Sequence, residues 1–177
     1  IWQGLDLTDT GYLLTGGQQV FIEPQNIQFS YLLSFVINGL WNRIAGSLGL
    51  MGAYLGGALT YLLTAACVYR FFRKMIPERI LLLGILITIM IPNLMRYITY
   101  NNLTSLFFVA GAGLMLAAFR RRSPLYYFLS GIIFGSTFYL RLPNIVSFSL
   151  FLVVIIGHYL DSTPWKDTAK GSLSFVS

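Results

Sequence analysis

Acid is scarce in this chain. Its 177 residues hold six Asp and Glu against twelve Lys and Arg, and only 10% of them are charged. Soluble domains carry about 25% charged residues, so the composition excludes an ordinary soluble globular protein. Cysteine occurs once, at Cys67, which rules out an internal disulfide and a cysteine-built metal site. Its apolar surroundings suggest a buried, inert thiol. Histidine also occurs once, at His158, so a His-based metal site has no second ligand and a structural role is expected. A glycine-rich phosphate loop, a Ser-His-Asp set and a redox motif are all missing.

What the chain does have is apolar length: 56% of its residues are hydrophobic and 16% aromatic. Five apolar stretches, at 47–69, 80–96, 103–119, 125–140 and 144–160, are long enough or nearly so to cross the roughly 30 Å hydrocarbon core of a bilayer. The expected fold is an all-α, polytopic transmembrane bundle over 47–177, preceded by an outer loop over 1–46. Gly171 to Ser177 look like the opening of another span. The chain therefore reads as a piece cut just after one span and just before another.

The net charge of +6 does not indicate nucleic acid, because the basic residues punctuate the apolar stretches. Arg70, Arg73, Lys74 and Arg79 flank one turn, Arg120, Arg121 and Arg122 form the next, and Lys166 and Lys170 follow the last span. That puts nine of the twelve basic residues on one side, with Arg43, Arg96 and Arg141 on the other. The positive-inside rule assigns the nine to the cytoplasm and leaves residues 1–46 outside. The expected location is a bacterial inner membrane.

Segment 26–44 carries two helical stripes. Phe29, Leu32, Leu33, Val36, Ile37, Leu40 and Trp41 form an apolar one, with Phe35 outside it, and Asn26, Ser30, Ser34, Asn38 and Asn42 fall four apart on another face. The pattern predicts an amphipathic helix lying at the outer interface, with Trp41 and Arg43 at headgroup depth, in preference to a sixth span. Within the spans, Gly52/Gly56 and Gly131/Gly135 are small-xxx-small pairs suited to close helix packing. Pro92 is expected to kink the 80–96 span.

Groups able to do chemistry gather at the outer face. Asp6, Asp9 and Tyr12 come from the first segment, Arg96, Tyr97, Tyr100, Asn101 and Asn102 from the second outer loop, and Arg141, Pro143 and Asn144 from the third. A carboxylate there can act as a general base toward an acceptor hydroxyl or amine. Arginine can grip phosphate oxygens in bidentate fashion. Simpler roles compete: Asp6 and Asp9 could open a helix, and Arg96 and Arg141 could anchor at the interface.

The order of these motifs resembles the membrane half of the GT-C glycosyltransferases, in the branch of protein O-mannosyltransferases and lipid A aminoarabinose transferases. Asp9-Thr10-Gly11-Tyr12 resembles that family's Asp-Glu-x-x-Tyr motif, with Thr10 in place of the second acid and Tyr12 one residue closer. Gln28-Phe29-Ser30-Tyr31-Leu32-Leu33 is similar to the start of its interfacial helix, and Tyr69-Arg70-Phe71-Phe72-Arg73-Lys74 to the end of its next span. Arg96-Tyr97-Ile98-Thr99-Tyr100-Asn101 fits its second outer loop with Asn101 for Asp. Arg141-Leu142-Pro143 fits its Lys-Gly-Pro with Arg for Lys.

The resemblance covers nearly the whole chain. It implies transfer of a sugar from a polyprenyl-phosphate-linked donor to a lipid, glycan or protein acceptor at the periplasmic face. In that reading Asp9 is the base and Asp6 its supporting carboxylate. Arg141 and Arg96 hold the lipid phosphate, and Tyr12 and Asn101 shape the site. No cofactor is called for, and a divalent metal finds no support in the residues present. Two other readings stand beside it: a flippase for a lipid-linked glycan, and a non-catalytic assembly subunit. A flippase should place polar groups at the bilayer midplane, where this chain offers mainly Thr60, Thr64, Thr88 and Ser136.

Overall fold

The computed structural model describes residues 7–23, 28–90 and 97–149, with 152, 155 and 156; for 7–10 and 145–148 it describes the backbone alone. The described residues form α1 (Leu7–Gln19), α2 (Leu32–Ala45), α3 (Leu50–Phe72), α4 (Glu78–Met90), α5 (Tyr100–Arg121) and α6 (Pro124–Phe138), with 3-10 turns at Phe29–Tyr31, Gly46–Leu48 and Leu142–Ser149. No strand occurs among them, and the expected all-α membrane fold is what the chain adopts. The expected stretches 47–69, 80–96, 103–119 and 125–140 fall on α3 to α6. Residues 91–96, and with them Pro92 and Arg96, lie outside the described part. So do His158, Lys166 and Lys170.

Local chemistry accounts for the breaks. Gly49, at φ +55°, separates the Gly46–Leu48 turn from α3 in a conformation that glycine adopts without strain. Thr99 caps α5 by accepting from the Asn102 backbone amide at 3.2 Å. Arg122 ends α5 in the left-handed region, and Pro124 opens α6 at a position where its missing N–H costs nothing.

Helices α3 and α5 are long and apolar enough to cross a bilayer. At 23 and 22 residues they measure about 33–35 Å. Only 22% and 28% of their apolar windows are buried, unlike the mostly buried core helix of a soluble protein. The arginine-rich turns lie at one end of the bundle. At the other end gather the start of α3, the start of α5, the finish of α6, and α2.

Glycine notches set the packing. The Phe134 ring of α6 sits where a side chain at Gly111 of α5 would be, and Ser130 Oγ donates to the Gly111 carbonyl at 2.9 Å. Phe71 of α3 fills the same kind of notch at Gly113. Gly52 and Gly56 are close-approach positions as expected, against Ala45 and against Trp41 and Ile98. Gly135 is not, since open space surrounds it. At the α5–α6 contact the glycine notch is on α5 and Phe134 of α6 fills it, while Gly135 lies off the contact.

The orientation of α2 also differs from the sequence pattern. Its polar stripe turns inward: Ser34 is 0% exposed and Asn38 3%, whereas Leu40 of the apolar stripe is 48% exposed. The cause is a set of neighbouring carbonyls that need donors. Ser34 Oγ donates to the Leu140 carbonyl at 3.4 Å, and Asn38 Nδ2 to the Ile98 carbonyl at 3.3 Å. The Leu33 amide donates to the Tyr139 carbonyl at 3.0 Å, and Trp41 Nε1 to the Gly52 carbonyl at 2.8 Å. Helix α2 thus clips together the approach to α5, the end of α6 and the start of α3.

Helix α1 packs alongside α2 in the same direction. Tyr12 meets Tyr31 and Phe35, Gly16 meets Phe35, Gly17 meets Asn38, and Phe21 meets Arg43. Buried Leu13, Val20 and Phe35 hold the pair together.

Candidate functional site

Four rings and a guanidinium connect the first segment to the loop after α6. Tyr12 of α1 lies edge-on to Tyr31 with centroids 6.1 Å apart, and Tyr31 lies 5.4 Å from Tyr100 at the start of α5. The Arg141 guanidinium sits 5.2 Å from the Tyr100 centroid, a cation–π distance. Arg141 Nη1 also donates to Asn101 Oδ1 at 3.4 Å. Phe35 supports the Tyr12 end, with its centroid 5.3 Å from Tyr12. Three of the expected site residues, Tyr12, Asn101 and Arg141, are therefore brought to one run of contacts from segments at least 40 residues apart in each case.

Arg141 is positioned by its neighbours in sequence. Buried Leu140 packs with Ile98 and Leu103, and the Arg141 amide donates to the Thr137 carbonyl at 3.2 Å. Asn144 Nδ2 bonds Thr104 Oγ1 and the Thr137 carbonyl, both at 2.9 Å, tying the loop after α6 to α5. The guanidinium itself is exposed, with neutral partners only and no carboxylate among the described residues. A cation held by a ring and an amide keeps its charge available to an anion. Burial, and to a lesser extent the neighbouring Tyr31, push the Tyr12 phenol above its ordinary value of 10.0. It is a neutral hydroxyl at physiological pH, suited to hydrogen bonding and packing rather than to proton abstraction.

Asp9 lies in the first turn of α1, one turn ahead of Tyr12; its side chain is outside the described part. Asp6 and Arg96 are also outside the described residues. Asn102 is structural: Tyr61 donates to its Oδ1 at 3.0 Å and its Nδ2 donates to the Tyr97 carbonyl at 2.8 Å. Tyr97 stacks on Tyr54 of α3 at 5.6 Å. Sequence reasoning passed over Tyr31 as a site residue, although it stands in the quoted Gln28–Leu33 motif. The available signal was its tyrosine hydroxyl beside an otherwise apolar stripe.

The helix-interior hydroxyls named from the sequence are used up locally. Thr60, Thr64, Thr88 and Ser136 each donate to the carbonyl four residues back in their own helix, at 2.8–2.9 Å.

Residues 30–176 match the family of dolichyl-phosphate-mannose-protein mannosyltransferases. No curated protein and no solved structure matches the chain. The matched region runs from the Phe29–Tyr31 turn past α6 and contains Tyr31, Tyr100, Asn101 and Arg141, while Asp6, Asp9 and Tyr12 precede it. With that match over most of its length, on an all-helical apolar fold, the chain belongs to the dolichyl-phosphate-mannose-protein mannosyltransferase family, whose members are membrane glycosyltransferases.

Proposed function

We propose that this chain is the membrane portion of a GT-C enzyme that moves a sugar from a polyprenyl phosphate to an acceptor at the outer, periplasmic face. The observation that carries the reading is the Tyr12–Tyr31–Tyr100–Arg141 run, which leads from the acid-bearing segment to an exposed cation with no carboxylate partner among the described residues. Asp9, one turn before Tyr12, is the general base. It takes the proton of the acceptor hydroxyl or amine as that atom attacks the anomeric carbon. The bond from that carbon to the phosphate oxygen breaks, and the polyprenyl phosphate leaves with the electron pair.

Arg141 binds the leaving phosphate, where added negative charge develops and a fixed cation stabilises it. Asn101 Oδ1 orients the guanidinium fork, and Tyr100 lies against its face. Asp6 supports Asp9, and Arg96 adds a second phosphate contact. Tyr12 and Tyr31 form the wall between base and phosphate. The self-bonded Thr60, Thr64, Thr88 and Ser136 speak against a transport path through the described helices.

The test is transfer from a polyprenyl-phosphate sugar by the purified enzyme. Asp9→Asn is expected to lower turnover by about 10²–10⁴-fold, the range of a lost general base, with helicity and membrane insertion retained. Undiminished turnover in Asp9→Asn removes Asp9 from the role.

A further inference from the structure

A second feature lies at the far ends of α1 and α2, about 18 Å along α2 from Tyr31 by helix rise, counting twelve residues to Arg43. A cavity of about 640 Å³ opens there between α1, α2 and the start of α3. It shares no lining residue with the Tyr12–Arg141 run. Leu14, Phe21, Ile22 and Leu50 supply apolar wall; Gln18, Asn42 and Arg43 supply polar groups. Three observations bear on what fills it.

Asn42 Nδ2 is a buried donor with no hydrogen-bond partner among the described residues. Such a group normally finds an acceptor, because leaving it unmade costs about 1–3 kcal/mol. Arg43 lies over the Phe21 ring, 4.1 Å from its centroid, and no carboxylate pairs with it among the described residues. A guanidinium stacked on a ring keeps its in-plane N–H donors for an anion. Ile22 of the lining is more than half exposed, and so are Ile44, Leu48 and Met51, which stand next in sequence to the lining residues Arg43, Gly49 and Leu50 at the start of α3, a helix long and apolar enough to cross a bilayer. An acceptor-rich anion is thus called for beside an apolar wall that continues into a membrane-spanning helix.

We propose that this cavity is a phospholipid site: the phosphate of a diacyl phospholipid takes the Asn42 amide and the Arg43 guanidinium, and an acyl chain lies along Phe21, Ile22 and Leu50. The volume falls within the range of ordinary ligand sites. The proposal rests on the membrane nature of the family and not on the chemistry assigned to Asp9 and Arg141.

Native mass spectrometry of the detergent-solubilised protein, titrated with dioleoyl phosphatidylglycerol and separately with dioleoylglycerol, tests it. One phosphatidylglycerol is expected to bind saturably, with dioleoylglycerol at least tenfold weaker. Arg43→Ala with Asn42→Leu should weaken phosphatidylglycerol about tenfold or more. Gly46→Leu should do the same by occupying the cavity, since Gly46 lines it and open space lies where its side chain would start. Arg141→Ala should leave lipid binding unchanged while sugar transfer falls, so the two sites fail separately. Equal binding of both lipids overturns the proposal, as does a phosphatidylglycerol adduct insensitive to the Arg43 and Asn42 changes. Loss of the adduct in Arg141→Ala alone moves the lipid to the other site and equally overturns it. Because Arg43 is exposed, Arg43→Ala by itself keeps the test open if the other variants fold poorly.

Discussion

The two ends of the bundle are built on different chemistry. At the arginine end, cations lie near the surface and meet side chains close in sequence. Arg121 bonds the Tyr126 hydroxyl, Arg73 lies over Tyr69, and Tyr69 donates to Glu78 at 2.7 Å. At the α2 end the bonds are mostly from neutral side chains to backbone carbonyls far away in sequence, as from Ser34 to Leu140 and from Asn38 to Ile98. The first end tolerates change, because exposed charge pairs contribute little. The second holds three separate segments in register, so it can fix Arg141, Tyr100 and Tyr31 relative to one another. Charge marks which end is which; neutral hydrogen bonds hold together the end where the site is proposed.

The comparison can be broken at several points, beginning at the proposed reactive centre. After Asp9→Asn, the next largest expected effect is Arg141→Ala, with transfer reduced by about 10²-fold or more through loss of a charge-assisted phosphate contact. Arg141→Lys should recover only part, since ammonium keeps the charge and loses the fork. Steady-state kinetics on both variants measures this, and wild-type rates in Arg141→Ala would detach the guanidinium from the chemistry.

Gly39→Ala attacks the α1–α2 contact. A methyl group there meets the Gly17 carbonyl oxygen, a backbone atom that cannot swing aside. We expect about 1–3 kcal/mol of destabilisation, with faster proteolysis of α1 and lost activity. Gly135→Ala, in open space, serves as the neutral control. Thermal unfolding in detergent separates the two.

Asn38→Leu tests the clip itself. It leaves the Ile98 carbonyl without this donor, an expected cost of about 1–3 kcal/mol. If α2 positions the site, kcat should fall in the folded variant as well; a stability loss with full kcat would reduce α2 to scaffolding. The smallest effect is expected at the opposite end. Arg121→Ala removes an exposed bond to Tyr126 and should change stability by less than about 1 kcal/mol with transfer unaltered.

The legible part of the molecule follows from these same chemistries. The all-α fold and the apolar stretches later found on α3 to α6 could be read from composition, since long runs of apolar residues have few alternatives in a bilayer. Arg141, Asn101 and Tyr12 could be named from motif order. Their connection could not, because Tyr31 and Tyr100 join them across 69 positions of sequence. The glycine pairs were half legible: spacing identified Gly52 and Gly56 as close contacts. It could not show that the α5–α6 contact uses Gly111 and Phe134 while Gly135 stands clear.

Sequence by itself determined that this is a helical membrane chain with its cations clustered by segment, because hydropathy and charge act locally and are written residue by residue. Only tertiary structure decided which way α2 faces. Its two stripes were plain in the sequence, and a water-facing polar stripe was the simplest reading. The fold instead turned Ser34 and Asn38 inward, because the unpaired carbonyls of Leu140 and Ile98 needed donors and the helix was the element near enough to supply them. That demand arises only once α5 and α6 are packed, so no local pattern could announce it.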